Sequence, residues 1–119
     1  MKPRPKPVMD PRFRISWGRR FAFGPGKAEL LDNISATGSI AEAAKRMGMS
    51  YMRAWTLAKS MNRGFVTPLV ETVRGGKLRG GAKLTTTGRR VLQLYREIER
   101  QSQAAATPGR QKLARLLQS

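Results

Sequence analysis

The sequence predicts a mainly α domain that carries one small β-hairpin. Three observations lead there. Two short apolar-striped segments flank a Met47-Gly-Met-Ser50 break. Two β-branched runs, 68–74 and 82–85, enclose a glycine-rich basic loop. A long amphipathic stretch follows Thr85. The 119 residues suffice for one domain and are too few for two with separate cores.

Residues 1–12 hold four prolines and four basic residues and read as an extended arm. Segment 13–23 mixes aromatic, β-branched and basic residues around Gly18, which suits a short strand or hairpin. After Gly24-Pro25-Gly26, a first helix is expected from Lys27 to Ile34, striped by Leu30, Leu31 and Ile34 and ended at Thr37-Gly38. Ser39 with Glu42 forms a capping box that opens a second helix, Ile40 to Met47, with Ile40, Ala43, Ala44 and Met47 inward. Gly48 stops it. Ser50 then caps a third helix from Tyr51 to Gly64. Ala54, Ala58, Met61 and Phe65 fall on its inner line, flanked by Tyr51 and Leu57. Met52, Thr56, Lys59 and Arg63 lie opposite, with Arg53 and Ser60 at one edge. Tyr51 stands nearer the buried line than Trp55. Residues 74–83 contain four glycines and four cations and no acid, a positive hairpin tip. Thr86 or Thr87 caps the last helix, striped by Val91, Leu92, Tyr95 and Ile98 and broken at Pro108-Gly109. The expected division is an arm (1–12), a domain (13–106) and a tail (107–119) bearing Leu113, Leu116 and Leu117.

Two short helices joined by a Gly-containing turn, then a hairpin and a long helix, is the order of a winged helix-turn-helix. The charge agrees with a polyanionic partner. Lys plus Arg number 24 against 7 Asp plus Glu, a net +17. With no His and no Cys, disulfides, Cys/His zinc sites, a His base and a thiolate nucleophile are excluded. The acids nearest in sequence late in the chain, Glu97 and Glu99, point about 200° apart on a helix, so they offer no acid–base pair. No enzyme and no cofactor is expected. No run of about 18 apolar residues is present for a membrane span. The basic N-terminus lacks the apolar core of a secretory signal, and a cysteine-free chain fits the cytoplasm.

Residues 37–62, TGSIAEAAKRMGMSYMRAWTLAKSMN, and 68–99, PLVETVRGGKLRGGAKLTTTGRRVLQLYREIE, resemble the N-terminal DNA-binding domain of the ModE family. Those molybdate-responsive regulators have a winged helix similar to that of LysR-type regulators. The resemblance spans about residues 13–103 and rests on TGSI, MGMSY with AW following, and GGKLRGGAKLT. It implies a transcriptional regulator that binds palindromic duplex DNA as a homodimer in the nucleoid. It places DNA contacts at Ser50, Tyr51, Met52, Arg53, Thr56 and Lys59 and, on the wing, at Arg74, Lys77, Arg79 and Lys83. It also implies dimerisation through the last helix, with the strand region before the first helix, which assigns Val91, Leu92, Tyr95 and Ile98 to a subunit contact, while their stripe alone fits the chain's own core equally. Residue chemistry adds Ser39 and Arg63 near phosphate, and leaves Arg53 open between guanine and a phosphate. Full-length relatives continue into paired molybdate-binding domains, whereas this chain ends at Ser119. The expectation is therefore a DNA-binding module whose sensor, where one exists, is a separate protein. The rival expectations are a sequence-indifferent nucleoid protein and an RNA-binding protein.

Overall fold

The computed structural model describes residues 13–19, 21–73 and 81–118. The arm and the wing tip (74–80), with Arg74, Lys77 and Arg79, lie outside the described residues.

Strands β1 (Ile15–Trp17) and β2 (Phe21–Phe23) pair antiparallel, with Gly18 at φ 65° in the turn. Helix α1 (Pro25–Thr37) starts earlier and ends later than its apolar stripe suggests. Pro25 presets the first helical φ, and Gly38 closes the helix in the left-handed region. Helix α2 (Ile40–Met47) and α3 (Tyr51–Gly64) follow. Then come β3 (Val70–Val73), its antiparallel partner β4 (Gly81–Leu84), and α4 (Thr86–Ala114). The winged helix-turn-helix with a long last helix is thus the observed architecture.

The core forms where α1, α2 and α3 meet. Leu30, Leu31, Ile34, Ile40, Ala43, Ala44, Ala54, Ala58 and Met61 are all buried, as their helical spacing requires. Alanines on the inner faces of α2 and α3 permit close approach. Gly48 stops α2 as its position after the last helical turn suggests. It is exposed and a Cβ there would meet nothing, so its role is the left-handed C-cap at φ 67°.

Three expectations need correction. The cap of α4 is Thr85, whose extended backbone lets Oγ1 accept the Gly88 amide (2.9 Å) while donating to the Pro68 carbonyl (2.6 Å). The helix continues through Pro108 to Ala114. Its surroundings there are exposed, so water can solvate the carbonyl that Pro108 leaves without a donor, and a lone proline bends rather than ends the helix. Tyr95 does not belong to an outward dimerisation stripe. It is 2% exposed, its ring stacks on Phe13 (4.3 Å) and meets Phe23 edge-on (5.2 Å), and its hydroxyl donates to the Phe13 carbonyl (3.0 Å). The aromatic β1–β2 segment fills the space into which the stripe turns. Arg96 reinforces the α1–α4 seam by pairing with Asp32 and with Glu99 (2.7 Å). No described helix is long and apolar enough to cross a membrane.

Gly88 sits where α4 crosses the start of the wing. A Cβ there would lie 2.1 Å from the Leu69 carbonyl oxygen, which is backbone and cannot swing away. Gly109 is helical with open space around its missing Cβ. Gly88→Ala is expected to cost about 1–3 kcal/mol or more by overpacking. Gly109→Ala is expected to gain up to about 1 kcal/mol of helix propensity. Thermal melts should therefore shift in opposite directions.

Candidate nucleic-acid interface

Helix α3 supplies the exposed face. Ser50, extended at φ −70° and ψ 155°, accepts the Arg53 amide on its hydroxyl at 3.1 Å and so fixes where the helix begins. From that start, burial of Ala54, Ala58 and Met61 turns Tyr51 (51% exposed), Met52 (63%), Arg53, Thr56, Lys59 and Arg63 outward. Thr56 Oγ1 donates to the Met52 carbonyl (2.8 Å), which leaves its lone pairs and methyl group facing out. Lys59 Nζ lies 4.1 Å over the Trp55 ring. The aromatic pair is reversed relative to the sequence reading: Trp55 is half-buried against the core while Tyr51 is exposed. Tyr51, in the first turn of α3, escapes the core that its angular position suggests.

Ser39 is half-buried, with its hydroxyl occupied by the Glu42 amide (3.2 Å) and its backbone bridged to Gly81 of β4. Only half of the capping box forms. The Ser39 amide donates to Thr37 Oγ1 (3.3 Å), so the Glu42 carboxylate turns to Lys45 (3.5 Å) instead. Lys83 is exposed on β4 and pairs with Glu71 across the hairpin at 3.4 Å. A cavity of about 840 Å³ separates α3 from the wing and the start of α4, with Lys59, Lys83 and Arg89 on its walls. Arg89 is held there by donating to the Leu84 carbonyl (3.0 Å) and to Thr86 Oγ1 (3.3 Å).

Among the residues assigned to dimerisation, Val91 and Leu92 are half-buried and pack on the protomer's own core, and Ile98 is 38% exposed. Leu94, 40% exposed, joins Ile98 one turn away. It escaped the sequence reading because Tyr95 anchored the stripe one residue off.

Asn62 was also missed. Its Oδ1 accepts the amides of Leu69 (2.9 Å) and Val70 (3.0 Å), and its Nδ2 donates to the Val70 carbonyl (2.9 Å). The side chain therefore acts as a short extra strand that fastens β3, and with it the wing, to α3. Only the Gly64-Phe65-Val66-Thr67-Pro68 reversal that brings 69–70 back past 62 offered a signal for it.

No family model matches the chain. It is 43% identical over 81 residues to the transcriptional regulator ModE of Haemophilus influenzae, covering 68% of this chain and 32% of that protein. It is 45% identical over 71 residues to the DNA-binding transcriptional dual regulator ModE of Escherichia coli K12, covering 60% and 27%. Against the molybdenum transport protein ModE of Azotobacter vinelandii the identity is 40% over 84 residues, covering 71% and 31%. The matched part is thus about a third of the curated relatives' length or less. Among solved structures, the CbnR DNA-binding domain in its DNA complex superposes with a TM-score of 0.58 at 19% identity, over 74% of this chain and 95% of that one. That likeness is one of fold.

Asn62→Leu would strand two backbone amides and a carbonyl, each costing about 1–3 kcal/mol where water cannot reach. A loss of about 3 kcal/mol or more in denaturant unfolding is expected, with faster amide exchange at Leu69 and Val70 than at Ala58. Equal acceleration at all three would refute a local clamp. Over the matched residues, on a winged-helix fold, the chain is a homologue of the ModE transcriptional regulators.

Proposed function

We propose that this chain is a sequence-specific, double-stranded-DNA-binding transcriptional regulator of the ModE-like type, acting as a dimer on a palindromic operator. The observation that carries the reading is the outer face of α3. A Ser-capped helix buries alanines on one side and offers Tyr51, Met52, Thr56 and Lys59, with no acid between Tyr51 and Gly64, on the other. A helix of this size fits a major groove about 12 Å wide. Phosphate contacts from Lys59, Arg63, Lys83 and the wing-tip cations Arg74, Lys77 and Arg79 supply affinity, and contacts from the start of α3 supply sequence choice. Transcription is regulated by occupancy, in the nucleoid. Any effector acts through whatever sensor accompanies the domain.

The dimer reading rests on Leu94 and Ile98, an exposed apolar pair on a helix of 29 residues. A second copy of α4 laid against this pair would bury it.

Fragments selected from the source genome should bind about 10³-fold or more tighter than random duplex at physiological salt. Equal affinity for both would indicate a nucleoid packaging protein, and preference for single-stranded RNA would indicate an RNA-binding one. Leu94→Asp with Ile98→Asp should convert a sedimenting dimer to monomer with an unchanged circular dichroism spectrum. A wild-type protein that sediments as a monomer at all concentrations would remove the dimer from the reading.

A further inference from the structure

The faces of α3 are not symmetric around its outer crest. At about 100° per residue, Asn62 lies about 180° from Arg53. The Asn62 edge carries the wing. The Arg53 edge carries a second basic concavity, a cavity of about 240 Å³ between α3, the residue before β1 and the first turn of α1. Its walls bring together Arg14, Lys27 and Arg53, with Met49 and Leu57 as apolar floor. No carboxylate is among the described residues that line it. These three cations come from three separate parts of the chain, so the fold has gathered them.

We propose that Arg14, Lys27 and Arg53 form a seat for a backbone phosphate of the DNA strand on the far side of the major groove from the wing. The inference rests on the duplex-DNA reading above and assigns it a second grip. A helix lying in a major groove is bordered by two phosphate backbones. The wing and Lys59 lie toward one. The other passes the opposite edge of α3, where the cavity opens.

The local chemistry fits an anion. Lys27 Nζ donates to the Ala22 carbonyl and stands 4.5 Å from the centre of the Phe21 ring, so its stem is fixed, and no acid among the described residues pairs with it. Burial, and then the neighbouring Arg14 charge, hold the Lys27 ammonium below the ordinary lysine value. An arriving phosphate would relieve that repulsion. Arg14 runs alongside Gly24, where a built Cβ would lie 3.8 Å from its Cβ, Cγ and Nε, so the side chain lines that wall of the cavity. Arg53 then sets register on the backbone. Sequence choice falls to Tyr51, Met52 and Thr56.

The test measures operator and random-duplex affinity against salt for the whole chain. Arg14→Gln and Lys27→Gln should each flatten the slope of log affinity against log salt by about one, close to the value for one released phosphate contact. Arg53→Ala should do the same and leave the ratio of operator to random affinity unchanged. Arg14 is exposed, so its variant guards against a Lys27 change that merely loosens the fold, which circular dichroism would reveal. Unchanged slopes for Arg14→Gln and Lys27→Gln, with a flattened slope for Lys59→Gln, would overturn the seat and leave the DNA reading intact. A fall in the operator-to-random ratio for Arg53→Ala at constant slope would return Arg53 to base reading and overturn the seat as drawn. Saturable shifts of the Arg14 and Lys27 resonances with inorganic phosphate, without any change of slope, would make this a free-oxyanion site and overturn the backbone assignment. Failure of the wild-type chain to prefer duplex DNA over single-stranded RNA would remove both readings together.

Discussion

The reversal at Gly48-Met49-Ser50 governs the rest of the molecule. Helix α2 must end and α3 must begin within three residues, and the two must meet at an angle that buries alanines from both. Gly48 makes the ending possible at φ 67°, where its amide reaches the Lys45 carbonyl (3.2 Å) and Met49 reaches back to Ala44 (3.0 Å). A side chain at that φ would cost about 1–2 kcal/mol. Ser50 makes the beginning possible by capping the Arg53 amide. Because a helix turns about 100° per residue, a shift of one residue in that cap would rotate the outer face of α3 by the same angle. Met52 and Thr56 would then swing to the edge.

Once α3 is fixed, the hairpin and the long helix are hung from it by few, specific contacts. Asn62 holds β3 through three hydrogen bonds from one side chain. Thr85 holds the other end of the hairpin to Pro68 and caps α4 with the same oxygen. Tyr95 and Arg96 then anchor α4 to the Phe13 carbonyl and to Asp32. Each contact ties one element to another, and each uses a polar group whose partner is backbone or an opposite charge. The wing strands are therefore presented at a set distance from α3 before any partner arrives, which lowers the ordering cost of binding.

The local grammar of this fold was open to reading. Ser39, Ser50, Gly38 and Gly48 announce helix boundaries through chemistry that acts within four residues, and the alanine line of α3 announces its buried face. Depth and distant partners were not open in the same way. Tyr95 falls on an apolar stripe whether it meets a second subunit or Phe13, 82 residues earlier, and spacing alone cannot separate the two. Asn62 looks like any polar residue on a helix edge until the chain returns to it. Glu42 is well placed for a capping box, yet the Thr37 hydroxyl reaches the Ser39 amide first. Tyr51 and Trp55 sit at neighbouring angles, and which one is covered depends on what lies above each. At the interface, the outward face of α3 was legible for the same reason as its inner one. Arg14 and Lys27 were not, because their proximity to Arg53 exists only after folding.

The distribution of the few acids explains why the outer face of α3 can attract a polyanion without being saturated from within. Asp32 and Glu99 are engaged with Arg96 at the α1–α4 seam, Glu42 with Lys45, and Glu71 with Lys83. None of them lies on α3, so its Arg53, Lys59 and Arg63 meet no carboxylate among the described residues. Field from such a cluster steers a duplex but does not read it, since every phosphate is alike. Discrimination must come from groups that differ in what they donate and accept. Thr56 has already committed its hydroxyl proton to Met52, so toward a partner it is an acceptor beside a methyl group. That combination suits an exocyclic amino group or a thymine methyl, whereas a donor-only cation on the same face suits a carbonyl oxygen, so the two kinds of group are complementary rather than interchangeable.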